Sequence, residues 1–313
     1  MAVRDGMIDG KLWDVISSGD FFIDLVMTGF PSLPKLGEEG FCTGMTRETG
    51  GGAAHTSSGL AKLGLRSALY CVAGVEEIDW FRHKFSDRGV DTSLVVAHPD
   101  QPTAITVAVS TPEDRIFYTY YGANILFAEM LRKTSTWERF TNARHIHLAY
   151  PVEPGLLAEM SQWLRSRGTG VSFDLGWHED WLANPASVRA LATLDWFLPN
   201  DREAERMSGE SEPRRMIEWF RDHGACGVAI KLGPNGSTAF QQSEVASAPS
   251  IKVNPIDTTG AGDCFDAGFL YGILTGRSLE ESLRYGNLCG ALSTEAKGGI
   301  DGFPALDRVL QAR

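Results

Sequence analysis

The sequence lacks the features that would place it in a membrane or on the secretory route. No apolar run approaches the roughly 20 residues of a membrane-spanning helix. The N-terminal segment has no apolar core of a secretory signal and carries charges at Arg4, Asp5, Asp9, Lys11 and Asp14. The five cysteines include no Cys-x-x-Cys pair. We therefore expect a cytoplasmic protein with reduced, mostly buried thiols and no membrane partner.

Signatures of several common chemistries are also missing. There is no Gly-x-x-x-x-Gly-Lys-Ser/Thr phosphate loop and no Gly-x-Ser-x-Gly nucleophile turn. His145 and His147 stand two apart on a predicted strand without a third ligand nearby, so we expect a buried or hydrogen-bonded pair and no metal site. With 29 Lys and Arg against 40 Asp and Glu, the net charge of -11 argues against a nucleic-acid partner.

The 313 residues suffice for one large domain, and their pattern predicts an α/β fold. Short apolar runs alternate with helical stretches, which favours a doubly wound, mostly parallel sheet with helices on both faces. In such folds ligands bind at the carboxyl ends of the strands. Strands are predicted at 21–27, 67–73, 105–110, 116–121, 145–148, 170–173, 196–198, 227–231, 237–240 and 251–254. Helices are predicted at 53–63, 78–87, 154–167, 200–208, 212–223, 261–274, 279–295 and 305–311.

Two segments interrupt this alternation. Residues 31–49 are rich in Gly and Pro, and residues 101–121 alternate apolar and polar side chains as a half-exposed strand does. Both segments predict antiparallel strands off the main sheet, which together would form a small lid over the ligand site. A pair of ordinary surface hairpins would produce the same pattern.

One stretch combines a glycine turn, a carboxylate and the start of a helix. Residues 257–269 have the sequence Asp-Thr-Thr-Gly-Ala-Gly-Asp-Cys-Phe-Asp-Ala-Gly-Phe and follow a short apolar run. The small residues Gly260, Ala261 and Gly262 allow a sharp turn, and the amides and dipole of the helix start attract an anion. Phosphoryl transfer needs such donors together with a base, here Asp263, for the attacking hydroxyl. The alternative is an ordinary helix start with Asp263 as a first-turn acid.

Further polar groups stand where a substrate would bind. In residues 50–64 consecutive glycines open a helix, so backbone amides can contact a ligand, and His55 in the first turn can donate to a hydroxyl. Asp24 puts a carboxylate inside an apolar strand, and a buried acid needs partners. Asp174 and Tyr150 each follow a predicted strand. The structural alternatives are a tight turn that leaves His55 solvated and an Asp24 side chain that caps a loop at the end of a strand. The Trp and His residues at 177–181, after Asp174, would alternatively only cover the edge of the core.

Two later motifs have sufficient local explanations. Residues 199–205 begin a helix with Asn200 as its N-cap and Glu203 in an acidic first turn. Residues 230–236 are a strand followed by a Pro-Asn-Gly turn, in which Lys231 is at the strand end, a position that commonly leaves a lysine solvated.

Together these motifs resemble the ribokinase family, also called the PfkB carbohydrate kinases. The Gly-Ala-Gly-Asp string is similar to the C-terminal signature of the family, and the earlier Gly-Gly, Asn-x-x-Glu and Leu-Gly-x-x-Gly motifs occur in the family's order over about 15–304. The resemblance implies a ribokinase-like fold in a single domain, 1–313, whose lid excludes water. It also implies an ATP-dependent kinase that uses Mg²⁺, with Asp263 as general base and the amides of 260–262 as anion hole.

The resemblance also implies roles for residues around the two ligands. His55 stands where the family usually has an Asn, which changes the hydrogen-bond pattern because an amide donates and accepts at once. The residues implied for the substrate are Asp24, Gly50, Gly51, His55, Tyr150 and Asp174. The residues implied for the nucleotide are Asn200, Glu203, Lys231, Gly233, Gly236 and Asn287, with Glu203 holding Mg²⁺ through water. A loop for a monovalent cation such as K⁺ would comprise Asp257, Thr259, Thr294, Lys297 and Gly299.

The substrate class is open at this point. Gly52 stands where kinases of phosphorylated sugars often carry Lys, which favours an unphosphorylated sugar as in ribokinases and fructokinases. The alternatives are an adenosine-type nucleoside kinase and a sugar- or nucleotide-binding protein that has lost catalysis, which only His55 favours. Because lids in this family can pair, the resemblance leaves open a homodimer through the lid.

Overall fold

The computed structural model describes residues 10–111 and 115–311, in which strands alternate with helices as predicted. The strands are β1 (Trp13–Gly19), β2 (Phe22–Thr28), β3 (Gly44–Gly50), β4 (Ser67–Tyr70), β5 (Val72–Gly74), β6 (Val96–His98), β7 (Ala104–Ser110), β8 (Arg115–Tyr120), β9 (Ala143–Ala149), β10 (Gly170–Asp174), β11 (Trp196–Phe197), β12 (Gly227–Lys231), β13 (Ser237–Gln241) and β14 (Glu244–Ala248). The helices are α1 (Gly52–Lys62), α2 (Ile78–Asp87), α3 (Phe127–Leu131), α4 (Thr134–Phe140), α5 (Pro154–Arg165), α6 (Glu179–Leu182), α7 (Pro185–Leu191), α8 (Asp201–Ser208), α9 (Pro213–Asp222), α10 (Ala261–Leu274), α11 (Leu279–Ser293) and α12 (Leu306–Leu310).

The predicted mostly parallel sheet is confirmed. Eight strands lie in the order β14-β13-β12-β11-β10-β9-β1-β4. The strands from β12 to β4 are parallel, and β13 and β14 add an antiparallel edge. The parallel strands therefore bring their carboxyl ends to one edge of the sheet, where ligands bind in folds of this kind.

Helices cover both faces of this sheet because side chains alternate along each strand. On β1, Val15 packs in one cluster with Phe269 of α10, and its neighbour Ile16 packs in the other cluster with Leu157 of α5. All four side chains are fully buried. One cluster includes α10 and α11, and the other includes α5 and α9, so these helices lie on opposite faces of the strands. The packing of α10 against the sheet positions the start of this helix at the carboxyl edge.

A separate four-stranded sheet lies off the main sheet, in the order β3-β2-β7-β8. Its strand β3 overlaps the end of the first predicted lid segment, and β7 and β8 fall within the second, whereas residues 31–43 contain no strand. Strand β2, which was predicted at 21–27 without a sheet assignment, belongs to this small sheet and pairs with both β3 and β7. Just before β2, Phe21 packs edge-on against Phe81 of α2 at 4.5 Å, which holds the small sheet against that helix.

The predicted strands need correction at two places. The first strand of the main sheet, β1, was missed because Asp14, Ser17 and Ser18 interrupt its apolar run, although all three side chains are buried. No strand forms at 251–254, where Pro249 and Pro255 bracket the segment and remove backbone donors; the edge strand is β14 instead. Within the described ranges, no helix has the length and apolar character needed to cross a membrane.

Candidate active site

The predicted glycine turn forms the start of α10. Gly260 is the N-cap residue, with the left-handed φ of 72° that favours glycine. No side chain caps the helix, and Asp263 lies in its first turn with its side chain 22% exposed. Backbone donors and one solvent-accessible carboxylate therefore occupy the same helix start, which is the arrangement that an anion and a base require.

The start of α1 converges on the same carboxylate. Gly50 ends β3, Gly51 is the N-cap of α1, and Gly52 is its first residue. A Cβ added to Gly52 would lie 2.6 Å from Oδ1 of Asp263, so only glycine allows this close approach. The Thr56 hydroxyl donates to the backbone carbonyl of Asp263 at 3.1 Å, which joins the two helix starts.

Two predicted substrate residues flank this junction. His55 is 3% exposed, and its Nδ1 lies 3.4 Å from Oδ2 of Asp263. Asp24 on β2 lies over Gly50, where an added Cβ would be 2.3 Å from its Oδ2. Burial raises the pKa of Asp24, an effect that His55 opposes. The structure thus brings Asp24, Gly50, His55 and Asp263 together, as the sequence predicted.

Aromatic side chains and a further acid line the approach between the two sheets. Tyr150, which follows β9, packs edge-on against Phe127 at 4.8 Å. The Tyr121 hydroxyl donates to Oδ2 of Asp20. Burial raises the pKa of Asp20 to about 6, against the effect of that hydrogen bond. Sequence reasoning missed Asp20 and Tyr121, although Asp20 directly follows β1, where a ligand-binding residue is expected.

Beneath the turn, Lys231 binds two carboxylates. Its Nζ donates to Oδ2 of Asp174 at 2.6 Å and to Oδ1 of Asp266 at 3.2 Å. A Cβ added to Gly262 would lie 3.5 Å from Nζ, so the ammonium is also directly below the predicted anion hole. The sequence assigned Asp174 to the substrate and Lys231 to the nucleotide, and the structure joins both in one buried cluster that includes the unpredicted Asp266.

The protonation of this cluster follows from burial and charge. Burial by itself would raise the pKa of Asp174, but the Lys231 ammonium and the hydrogen bonds to Asp266 and Lys231 outweigh it and lower the pKa to about 2. Burial raises the pKa of Asp266 well above its ordinary value, with Lys231 opposing and the Asp174 charge adding to the rise. Lys231 therefore favours the ionised form of Asp174, whereas burial favours the protonated form of Asp266.

The histidine pair lies behind this cluster, and the expectation of a hydrogen-bonded pair is confirmed. The Ser172 hydroxyl lies 2.8 Å from Nε2 of His145 and 3.0 Å from Nδ1 of His147. Burial lowers the pKa of His147 to about 3, which keeps the ring neutral. Its Nε2 and Oδ2 of Asp266 are both buried without a hydrogen-bond partner and lie 3.9 Å apart.

The predicted nucleotide residues surround the ends of β11 and β12. Asn200 and Glu203 form a complete capping box at the start of α8, and both Glu203 oxygens accept from Asn200. Burial, with the charge of Asp174, raises the pKa of Glu203 to about 7. The turn Gly233–Asn235 and Gly236 follow β12, and Asn287 donates to the carbonyl of Ala248.

The two segments of the predicted cation loop are adjacent. Oδ1 of Asp257 accepts from the Thr259 amide at 3.0 Å, and Oδ2 accepts from the Gly298 amide at 3.2 Å. The Thr294 carbonyl accepts from the amides of Ile256 and Asp257. Asp257 thus ties together the segments that contain Thr259, Thr294, Lys297 and Gly299, and cation binding there stays a prediction.

A cavity of about 430 Å³ opens beside the carboxyl ends of β9 and β10. Its walls include Pro151, His178 and Trp181. The Trp181 indole donates to the Val152 carbonyl and is buried, so this side chain supports the wall, whereas Trp177 is exposed. Of the aromatic residues after Asp174, the structure therefore puts His178 and Trp181 in the wall of this cavity.

Known proteins share the motifs and the fold of this chain. Residues 15–306 match the family described as pfkB family carbohydrate kinase. The chain is 30% identical over 274 residues to the 2-dehydro-3-deoxygluconokinase of Bacillus subtilis, covering 83% of this chain and 84% of that protein. It is 28% identical over 259 residues to a nucleoside kinase of Methanothermobacter thermautotrophicus, with 82% and 81% covered. The ribokinase of Arabidopsis thaliana complexed with ribose and ATP shows the same fold, with a TM-score of 0.84, 24% identity, and 96% and 98% covered.

Proposed function

Because this chain belongs to the pfkB family of carbohydrate kinases, which are phosphotransferases with a hydroxyl acceptor, we propose that it transfers the γ-phosphate of ATP to a small unphosphorylated sugar. The observation that carries this proposal is the convergence of α1 and α10 on Asp263, beside the uncapped start of α10. That geometry supplies a base and backbone donors within one turn of helix.

The proposed reaction is a single displacement at phosphorus. Asp263 takes the proton of the substrate hydroxyl while its oxygen forms a bond to the γ-phosphorus. The bond from that phosphorus to the β–γ bridging oxygen breaks, and ADP leaves with the electron pair. In this step the amides of Gly260, Ala261 and Gly262 would donate to the transferring group, with the Ala261 amide giving up its 3.3 Å bond to the Thr258 carbonyl. A general base of this kind typically raises the reaction rate by about 10²- to 10⁴-fold.

Magnesium fits the nucleotide side of the site through water. Carboxylate oxygens of Asp174, Asp263 and Asp266 lie within 4.8 Å of one another, but Lys231 already binds two of these groups. Both Glu203 oxygens accept from Asn200, so Glu203 would hold the ion through bridging water. When bound with ATP, magnesium supplies positive charge that offsets the charge of the phosphate oxygens.

The loop tied by Asp257 is proposed to hold a monovalent cation such as K⁺. The negative charge of the Asp257 carboxylate, where the two segments meet, is the feature that supports a cation there. Activity is expected to rise when KCl replaces tetramethylammonium chloride at equal ionic strength. Equal rates in the two salts would contradict a cation at this loop.

The substrate choice rests on the groups around Asp24. Its carboxylate, beside Gly50, is suited to accept from two neighbouring hydroxyls of a sugar. Gly52 leaves no cation for a phosphorylated acceptor, which favours an unphosphorylated one. A nucleoside is the second candidate, because the rings of Phe22 and Tyr121, 5.9 Å apart, offer an aromatic wall for a base.

An ADP-release assay over sugars, 3-deoxy sugar acids and nucleosides tests these alternatives, with Asp263→Asn as the control. We expect substrate-dependent ADP with an unphosphorylated sugar and almost none with the variant. Turnover confined to nucleosides would replace the sugar proposal by the nucleoside one. Absence of ADP above the control for every compound, with binding retained, would leave a sugar- or nucleotide-binding protein.

The small sheet is proposed to close over the sugar as a lid and to pair two copies. Its edge strand β8 presents Phe117, Tyr118 and Tyr120, each more than half exposed. A second copy would cover these rings and the edge of the strand. Light scattering after gel filtration should give twice the 34.2 kDa of the chain, and Tyr118→Lys should return it to the monomer. A monomeric wild type would remove this part of the proposal.

A further inference from the structure

The environment of His55 differs from that of a side chain that faces a substrate. A Cβ added to Gly260 would lie 2.8 Å from Nδ1, and one added to Gly299 would lie 3.3 Å from Nε2. The ring is thus held between the backbone of the anion turn and that of the loop at 299, and it is 3% exposed. Its hydrogen-bonding side-chain partner is the carboxylate of Asp263, with Nδ1 and Oδ2 3.4 Å apart.

The chemistry of that contact has a defined direction. An ionised carboxylate only accepts hydrogen bonds, so the nitrogen that faces Oδ2 of Asp263 must carry the proton. A neutral ring with its proton on Nδ1 satisfies this condition. The opposite tautomer would place the lone pair of Nδ1 against the lone pairs of Oδ2, which is unfavourable.

The other oxygen of the carboxylate has a different neighbour. Oδ1 of Asp263 lies against Gly52, where an added Cβ would be only 2.6 Å away. Since His55 takes Oδ2, Oδ1 is the oxygen left for a substrate hydroxyl. Thr56, one residue later, already holds the backbone of Asp263. His55 therefore adds the one restraint that the backbone contacts do not provide, which is the rotation of the carboxylate.

We propose that His55 is a positioning residue for Asp263, whose Nδ1–H bond to Oδ2 directs Oδ1 to the substrate hydroxyl. This rests on the proposed function, in which Asp263 is the base. During transfer the substrate proton moves to Oδ1 of Asp263, and His55 keeps its own proton. The family Asn at this position is expected to grip the substrate, whereas the ring in this chain acts through the carboxylate.

The first test separates turnover from binding. His55→Ala should lower kcat by about 10- to 100-fold, as expected for a displaced reacting group, with the KM of the sugar changed less than about 3-fold. The kcat of His55→Asn should be about 10-fold higher than that of His55→Ala, since the Asn amide can donate to Oδ2. His83→Asn is the matched control, because His83 is 78% exposed on α2. Melting temperatures should confirm that all variants fold.

A higher KM with unchanged kcat in His55→Ala would show that the ring grips the substrate and would overturn the proposal. Equal losses in the Ala and Asn variants would also overturn it.

The second test does not require turnover. Nitrogen-15 NMR of labelled histidine rings, with the signal of His55 identified by its loss from His55→Asn among the seven histidines, reports which nitrogen carries the proton. We expect Nδ1–H in the wild type and a shift toward Nε2–H in Asp263→Asn, whose amide can present its N–H to Nδ1. An Nε2–H ring in the wild type would overturn the proposal even if no substrate were found. Absent ADP with an Nδ1–H ring would instead count against the kinase reaction alone.

Discussion

Asp263 and Asp266 are three residues apart on α10, yet they lie in opposite environments. The Asp263 side chain is 22% exposed and contacts His55 at the cleft, whereas Asp266 is fully buried and accepts from Lys231. Position on the helix sets this difference, because one turn of helix carries a side chain from the open end of the sheet to its interior. Two aspartates on one helix thus occupy the position proposed for a base and a fully buried, charge-paired position.

The two acids also differ in what surrounds their charge. Asp266 lies near Asp174 and Asp263, and burial together with these charges raises its pKa well above the ordinary value. The proposed base Asp263 keeps part of its side chain in contact with solvent, whereas burial favours the protonated form of Asp266. The proposed base and anion turn therefore lie above a buried charge cluster to which we assign no step of the reaction.

Replacing each acid by its amide is the sharpest test of this comparison. Asp263→Asn should lower kcat by about 10²- to 10⁴-fold, because it removes the base, with little change in stability. Asp266→Asn should retain activity within about 10-fold, since an amide mimics the protonated acid and still accepts from Lys231. Turnover rates and urea midpoints of both variants measure the contrast. Similar losses of activity in the two variants would end the distinction.

Replacing Lys231, the cation between Asp174 and Asp266, should mainly lower the free energy of unfolding. Lys231→Met leaves the ionised Asp174 buried without its partner, and breaking a buried ion pair in this way typically costs about 3–5 kcal/mol. Urea unfolding measures the change. Lys133→Met is the control, because Lys133 is 58% exposed in a surface pair and should change stability by less than about 1 kcal/mol. Equal stabilities would show that Asp174 does not depend on Lys231.

Asp20 is a third carboxylate for this comparison. Burial raises its pKa, and the side chain that hydrogen-bonds to it is the Tyr121 hydroxyl, which carries no positive charge. Its pKa rises from 3.8 to about 6, so the folded state favours the protonated acid. Its contribution to stability is complete below pH 3.8 and is lost as the pH rises through about 6. Asp20→Asn should therefore gain up to about 3 kcal/mol relative to wild type between pH 4 and pH 7. Urea unfolding at both pH values measures this gain, and a pH-independent difference would contradict the raised pKa.

The smallest loss of stability is expected at Glu203, a buried acid that is hydrogen-bonded to the N-cap residue of its own helix. Asn200→Ala removes the side-chain N-cap of α8 and the amide donor to Oε1 of Glu203, while the backbone donor to Oε2 stays, so it should cost about 1 kcal/mol. Asp201→Asn, at an exposed neighbour outside the capping box, is the control. A loss above about 3 kcal/mol, measured by urea unfolding, would mean that Glu203 depends on its cap as strongly as Asp174 depends on Lys231.

The parts of the site that were predicted depend on neighbours in the chain. Helix α10 begins and ends at the predicted residues because its glycine turn and apolar run are contiguous. The cap formed by Asn200 and Glu203 spans three positions and is present as expected. Strand β1 was missed because buried Ser17 and Ser18 have no apolar signature, and β2 was assigned no sheet because its hydrogen bonds lie with distant strands.

The sequence by itself determined the reaction class, through a glycine turn and an acid that adjacent residues specify, and it determined the alternation that produces a parallel sheet. Only the tertiary structure decided which side chains meet. His55 contacts Asp263 across 208 positions, and Lys231 reaches Asp174 across 57 positions and Asp266 across 35. Local pattern cannot show such pairs, because packing of strands and helices from distant parts of the chain brings them within hydrogen-bond distance and removes the water that would otherwise solvate them.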